Sequence, residues 1–221
     1  MQTHIKQRDC PVNNQFAGSE ISPLMQRVYA NRGITDAGQL DLSLKNLHSP
    51  YTLKGIHQAV ELLLQALANH QRIIIVGDYD ADGATSSALA VRALTQLAAE
   101  VSYIVPSRFE FGYGLTPEIV EICAQQSAEL IITVDNGISS IAGAQHARDL
   151  GIKLLITDHH LPAAELPRAD AIVNPNQVGD EFPSKALAGV GVMFYLLVAL
   201  RAKLRELDWF DAHNLEPLNI V

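Results

Sequence analysis

From residue 53 onward, short apolar runs alternate with longer amphipathic stretches. The apolar runs cover residues 72–77, 101–105, 130–134, 154–157 and 171–173. They lack the apolar–polar alternation of strands with one face in water, which favours strands buried on both faces of a parallel sheet. Helical patterns separate them at 55–69, 84–98, 117–126, 139–150 and 186–206. The pattern predicts an α/β fold, a doubly wound, mainly parallel five-stranded sheet with helices on both faces.

Residues 1–52 differ from the rest of the chain because they are polar and irregular. Gly33 and Ser49-Pro50 interrupt them, and short helical patterns occur at 21–31 and 36–42. We expect this segment to be a lead-in that packs on the main domain, which would comprise residues 53–221.

Composition excludes several classes of protein. Of the 221 residues, 48% are hydrophobic and 18% are charged, which argues against disordered and coiled-coil chains. The formal net charge of −8 has the wrong sign for a protein that binds nucleic acid through charge alone. A cluster of carboxylates that collects divalent cations is compatible with that charge.

Neither targeting nor cysteine chemistry is indicated. No apolar run approaches the roughly 20 residues needed to span a bilayer, and the first residues lack the apolar core of a signal peptide. We therefore expect a cytoplasmic protein without a membrane partner. Cys10 and Cys123 match no metal or redox spacing, so we expect free thiols.

Polar motifs follow three of the predicted strands. GDYDADG occupies 77–83, VDNG occupies 134–137 and TDHH occupies 157–160. In open parallel sheets, ligands collect at the carboxyl ends of the strands, where the chain turns into helices. The three motifs are therefore expected to meet at one edge of the sheet.

The first motif carries alternating carboxylates. If strand geometry continues, Asp78, Asp80 and Asp82 lie on one side, with neighbours roughly 6 to 7 Å apart. Three carboxylates are more than one cation usually needs, and they suit two divalent cations about 3.5 to 4 Å apart. Asp135 would be a further ligand between the two cations. Oxygen ligands with one or two imidazoles favour Mn²⁺ or Mg²⁺ over structural zinc. A helix after Gly83 would add free N–H groups for an anion.

This chemistry favours a phosphate ester as substrate, because two cations activate a water and neutralise charge on phosphoryl oxygens. Each motif alone has another explanation. The alternating aspartates could form a turn or a calcium loop, although the glutamate that closes an EF-hand loop is absent. Asp135-Asn-Gly could be an ordinary turn, and Asp158-His-His could be a helix cap with surface histidines. The metal-site interpretation depends on all three motifs occurring together in this order.

In this order and spacing, the three motifs resemble those of the DHH phosphoesterase superfamily. Further segments narrow the resemblance to RecJ exonucleases over roughly residues 50–205. These segments are IVGDYDADGATSSAL, PSRFEFGYGL, LIITVDNGIS, LLITDHHLP, ADAIVNPNQ and AGVGVMFYLL.

The resemblance implies roles for particular residues. The implied metal ligands are Asp80, Asp82, Asp135 and His159, with Asp135 bridging. The implied catalytic residues in the same cluster are Asp78, Asp158 and His160. His160 would contact the scissile phosphate, and Asp158 would orient its histidine neighbours.

The same resemblance implies that Arg108 grips a substrate phosphate, although an exposed surface arginine is the alternative. Gly112 and Gly114 would shape the loop that follows. Gly189 and Gly191 would either let a helix start approach the site closely or merely pack.

RecJ-like enzymes are single-stranded-DNA-specific exonucleases. They degrade the strand from 5′ to 3′ and release mononucleotides in repair and recombination. The implied partners are single-stranded DNA, a helicase and a single-strand-binding protein. A DLVALGT-like fourth metal motif, a second domain and an OB-like domain are not found in the sequence. We therefore expect a chain truncated before the fourth motif, with doubtful activity by itself.

Other readings stay open. Small-nucleotide, cyclic dinucleotide and oligoribonucleotide phosphodiesterases and manganese pyrophosphatases share the motifs. Pyrophosphatases place a histidine four residues before the first metal aspartate, where this chain has Val76. A non-catalytic scaffold that retains the domain surface is the alternative from a different class.

Overall fold

The computed structural model describes Asp9, Phe16 and residues 19–220. The chain divides into two compact units, Met1–His48 and Ser49–Val221. The first contains α1 (Pro23–Ala30) and a short 3₁₀ turn at Ala37–Leu40, close to the two predicted helical patterns. The division falls near the predicted boundary at residue 52. Packing of the first segment on the main domain stays a prediction.

The second unit contains the sheet and its covering helices. The strands are β1 (Ile73–Val76), β2 (Val101–Ile104), β3 (Leu130–Val134), β4 (Lys153–Thr157) and β5 (Ala171–Val173). The helices are α2 (Ile56–Ala68), α3 (Ala81–Gln96), α4 (Arg108–Phe111), α5 (Pro117–Gln125), α6 (Ile141–Asp149), α7 (Gly189–Glu206) and α8 (Trp209–Ala212). Among the described helices, none is long and apolar enough to cross a membrane.

The central strands are buried on both faces, as their unbroken apolar runs predict. In β1, Ile73 and Ile75 pack in the core formed with α2, α3 and α7. Ile74 and Val76 pack in the opposite core, which includes residues of α5 and α6. Successive side chains of a strand point to opposite faces, so a four-residue apolar run serves two cores. The predicted doubly wound α/β fold is confirmed.

All strand pairs are parallel, in the order β2-β1-β3-β4-β5. After β1 the chain adds β2 on one side of it and later adds β3 on the other. The strand order therefore reverses between β1 and β3, and loops leave these two strands in opposite directions. Such a switch point opens a crevice at the carboxyl ends of the strands, which is where the first two motifs lie.

Cys123 lies on α5 as a buried free thiol, as predicted. Burial raises its pKa to about 12, so the thiol stays protonated and unreactive at neutral pH. Cys10 lies outside the described residues.

Candidate active site

Side chains from the ends of β1, β3 and β4 converge at one edge of the sheet. Carboxylate oxygens of Asp78, Asp80 and Asp135 lie within 4.8 Å of one another. An oxygen of Asp135 and ring nitrogens of His159 and His160 form a second group within the same distance. Asp135 belongs to both groups, which is the position required of a carboxylate that bridges two cations.

The alternating aspartates do not continue the strand, and this part of the prediction is wrong. The helix α3 begins at Ala81, three residues before the predicted start, and Asp80 is its N-cap. Oδ1 of Asp80 accepts hydrogen bonds from the N–H groups of Asp82, at 3.1 Å, and Gly83, at 3.0 Å. Aspartate is a favoured N-cap because its oxygen satisfies these donors. The two N–H groups are thus occupied, and the expectation that they are free for an anion is also wrong.

Asp82 instead lies against the N-terminus of α7. Its Oδ2 accepts a hydrogen bond from the N–H of Gly189 at 2.7 Å, and its Oδ1 accepts one from Val190 at 2.8 Å. The same Oδ2 lies 3.5 Å from Nε2 of His159. Backbone donors at a helix N-terminus favour a carboxylate, so α7 fixes the orientation of Asp82 beside His159.

Close approach of α7 to the cluster depends on Gly189. A Cβ added there would lie 2.5 Å from Oδ1 of Asp135 and 2.8 Å from its Cβ. At Gly191 an added Cβ would meet the side chain of Leu187 instead. From the sequence, either glycine could allow a close approach of the helix to the site or simply pack. In the structure, Gly189 allows the close approach, and Gly191 packs against Leu187.

Asp135 is a buried carboxylate with other aspartates close by. Among the described residues, its Oδ1 has no hydrogen-bond partner, although Nε2 of His159 lies 3.0 Å away. Burial, followed by the nearby charges of Asp82 and Asp80, raises the pKa of Asp135 to about 7. An unpaired buried charge is costly. A cation between these ligand atoms would remove that cost, so the site fits a metal.

This electrostatic cost leads to a prediction for the metal-free chain. The folded-state pKa of Asp135 is raised from 3.8 to about 7, so its contribution to stability is present below pH about 4 and is lost as the pH rises through 7. In EDTA, Asp135→Asn should therefore raise the free energy of unfolding by about 1 to 3 kcal/mol at pH 8. Urea unfolding at pH 8 and pH 5 measures the difference, and an equal gain at both pH values would contradict the assignment.

Asp158 is a buried anchor for the histidine motif. Its Oδ1 accepts hydrogen bonds from the N–H groups of His159 and His160, at 2.7 and 3.1 Å. The same oxygen lies 2.7 Å from Nδ1 of His160. The other oxygen of Asp158, Oδ2, accepts a hydrogen bond from the N–H of Ile138. Burial alone would lower the pKa of His160, but Asp158 and then Asp135 raise it above its ordinary value. This is the geometry that the predicted orienting role of Asp158 requires.

Arg108 lies at the same edge and is held by two of the aspartates. Its Nε donates to Oδ1 of Asp78 at 2.8 Å, and its Nη2 lies 2.7 Å from Oδ2 of Asp78. Nη2 also donates to Oδ2 of Asp80 at 3.2 Å. A backbone hydrogen bond from Gly83 and the charge of Arg108 lower the pKa of Asp80 against the effect of burial. Arg108 is thus part of the cluster rather than an isolated surface arginine.

Tyr113 is a neighbour of the site that the sequence analysis missed. Its ring centre lies 5.5 Å from the guanidinium carbon of Arg108, and its phenol oxygen lies 3.4 Å from both ring nitrogens of His160. Burial and the charges of Asp158 and Asp78 raise its pKa, so the phenol stays protonated. The sequence signal was the tyrosine between Gly112 and Gly114.

The ligand atoms suit a hard divalent cation. Aspartate oxygens predominate, and imidazole nitrogens supply the remaining donors. Mn²⁺ and Mg²⁺ favour such oxygen-rich sites, whereas structural zinc favours closed sets of cysteine and histidine. Of the four metal ligands predicted from the sequence, Asp80, Asp135 and His159 belong to these groups. Asp82 belongs to neither group and lies beside them, 3.5 Å from Nε2 of His159.

Comparison with known proteins identifies the family of this domain. Residues 72–216 match the family described as DHH family, N-terminal domain. The chain is 53% identical over 204 residues to the single-stranded-DNA-specific exonuclease RecJ of Salmonella typhimurium, an alignment that covers 92% of this chain and 35% of that protein. The chain thus spans about a third of the length of the curated relatives it matches.

Solved structures show the same fold. A crystal structure of exonuclease RecJ bound to manganese superposes with a TM-score of 0.64 at 39% identity, covering 69% of this chain and 38% of that one. RecJ from Thermus thermophilus in complex with Mn²⁺ has a TM-score of 0.66 at 33% identity, covering 86% and 25% respectively.

Proposed function

The chain belongs to the DHH family, and from this membership we propose that it carries the catalytic site of a single-stranded-DNA-specific exonuclease. The observation that carries the proposal is the position of Asp135, whose carboxylate is shared by both candidate metal groups. Identity to the Salmonella exonuclease supports a DNA strand as substrate over small nucleotides. The proposed reaction runs from 5′ to 3′ and releases mononucleotides.

Four residues would hold Mn²⁺ or Mg²⁺, with Asp135 between the two ions. They are Asp80, Asp82, Asp135 and His159. When bound, the ions lower the pKa of a water and neutralise charge on the phosphoryl oxygens. The N–H groups of Gly189 and Val190 hold Asp82 in place, so this ligand is oriented before a metal arrives.

Two further residues would contact the DNA, and two aspartates would position them. Arg108 and His160 are half-exposed at the edge of the cluster, where each can donate a hydrogen bond to a phosphate oxygen. Asp158 positions His160 and favours its protonated form. Asp78 holds the guanidinium of Arg108 through both of its oxygens.

The biological setting follows from the substrate. A nuclease restricted to single strands needs duplex DNA to be unwound, so a helicase would supply its substrate. A single-strand-binding protein would coat the same strand and meet the enzyme there. These partners, a cytoplasmic location and a role in repair and recombination form the wider part of the proposal.

The test uses end-labelled single-stranded DNA, with duplex DNA of the same sequence as control. This chain is compared with one extended at its carboxyl end towards the length of its relatives. The extended chain should release 5′-mononucleotides from the single strand in Mn²⁺ and none in EDTA. If neither chain cuts DNA while either hydrolyses small-nucleotide phosphodiesters, that alternative replaces the exonuclease. Metal binding without any hydrolysis would support the scaffold alternative.

A further inference from the structure

We propose that Tyr113 is a positioning residue that joins Arg108 and His160 into one binding surface for a phosphate of the substrate. The inference rests on the proposed function, because it assumes that these two residues face a nucleotide phosphate. It adds a residue to that site and assigns it a role separate from metal binding.

Tyr113 contacts both phosphate-binding candidates through different parts of its side chain. The guanidinium of Arg108 lies over the ring face, 5.5 Å from its centre. The phenol oxygen lies 3.4 Å from the ring nitrogens of His160, and the two rings meet edge to face at 81°. One tyrosine therefore sets the separation between a cation and an imidazole.

Arg108 and His160 are each also held by a buried carboxylate. The side chain of Asp78 is 6% exposed and pairs with Arg108, which is 44% exposed. The side chain of Asp158 is 1% exposed and pairs with His160, which is 47% exposed. Each exposed group is thus fixed on one side by an aspartate and on the other by Tyr113. Such double restraint reduces the conformational entropy lost when a ligand binds.

The backbone around Tyr113 supports this role. Gly112 and Gly114 both have positive φ values, 76° and 78°, which other residues rarely adopt. The loop is tied to the next motif because the N–H of Leu115 donates to Oγ of Ser140 at 2.9 Å. Two left-handed glycines therefore present a ring that is itself half-exposed. Burial in the core does not account for such a position.

The proposed role of Tyr113 is distinct from metal binding. It contacts Arg108 and His160, and neither is among the four residues proposed to hold the metal. Its contact with Arg108 is a cation–π interaction, which at an exposed site contributes modestly but restricts the guanidinium. Loss of the ring should therefore weaken phosphate binding and leave metal binding intact.

The experiment measures binding of the mononucleotide thymidine 5′-monophosphate, with thymidine as the ligand that lacks the phosphate. Calorimetry in Mn²⁺ compares the chain with Tyr113→Leu and Tyr113→Phe. Tyr103→Leu is the matched control, since Tyr103 is a similarly exposed tyrosine on β2. We expect Tyr113→Leu to reduce the preference for the phosphorylated ligand about tenfold, and Tyr113→Phe by about two- to threefold, because the ring face remains.

Two further readouts separate positioning from a structural role. The affinity for Mn²⁺ and the unfolding midpoint should stay unchanged in Tyr113→Leu. Adding Tyr113→Leu to Arg108→Gln should cost little more than Arg108→Gln alone, because the two residues act as a unit. Full retention of the phosphate preference in Tyr113→Leu, or a parallel loss of Mn²⁺ affinity, would overturn the inference. Failure of the unaltered chain to bind Mn²⁺ would count against the proposed function instead.

Discussion

Replacing Asp135 by alanine should lower Mn²⁺-dependent cleavage on the order of 10³-fold or more. Asp135 is the carboxylate common to both groups of candidate ligand atoms, so its loss would disturb both metal positions. His159→Ala should have a comparable effect, because Nε2 of His159 lies 3.0 Å from Oδ1 of Asp135. Initial rates on end-labelled single-stranded DNA, in the chain length that shows cleavage, measure the loss.

Matched controls are available on α6. Asp149→Ala and His146→Ala remove the same kinds of side chain from positions outside the site. Both controls should keep the cleavage rate of the unaltered chain. Unchanged cleavage in Asp135→Ala or His159→Ala would assign the activity to another site or to a contaminating enzyme.

A single methyl group at position 189 should weaken Mn²⁺ binding by about 10- to 100-fold, as loss of a residue that orients metal ligands commonly does. In Gly189→Ala the new Cβ would lie 2.5 Å from Oδ1 of Asp135. Because Asp135 is buried, its side chain has little room to move aside. Displacement of α7 instead would lengthen the hydrogen bond from Gly189 to Asp82. Either response moves a metal ligand.

Gly191→Ala is the control for this change. It adds the same methyl group to the same helix, so the two variants share the gain in helix propensity. Its Cβ would meet the end of the flexible Leu187 side chain, which can adjust. Titration with Mn²⁺ compares the two variants. Equal affinities would show that close approach at position 189 does not govern metal binding.

The strands were predictable because their apolar runs must fill two cores. The run at 73–76 is buried at every position and serves both faces of the sheet. The polar residues that follow the runs had to lie at the carboxyl ends of parallel strands. Convergence of the three motifs was therefore predictable from local pattern and one rule of topology.

Local competition explains the error in the first motif. Asp80 could continue the strand or cap a helix, and alternation alone does not distinguish these choices. The cap satisfies two N–H groups that the helix start would otherwise leave unpaired. Helix formation from Ala81 therefore prevails, and it turns Asp82 towards α7.

The remaining features depend on contacts between distant parts of the chain. The hydrogen bond from Gly189 to Asp82 joins residues 107 positions apart. The contact between Tyr113 and His160 depends on a short helix, α4, and on two glycines whose φ values no apolar pattern specifies. Such contacts follow from the assembled fold, so periodicity and spacing do not predict them.

Anomalous diffraction at the manganese edge, from crystals of the chain soaked in Mn²⁺, tests the two-metal site most directly. We expect two peaks about 3.5 to 4 Å apart, one on each side of the Asp135 carboxylate. The first should lie near Asp80 and the second near His159. A single peak away from Asp135, or no peak at this edge of the sheet, would contradict a two-metal site.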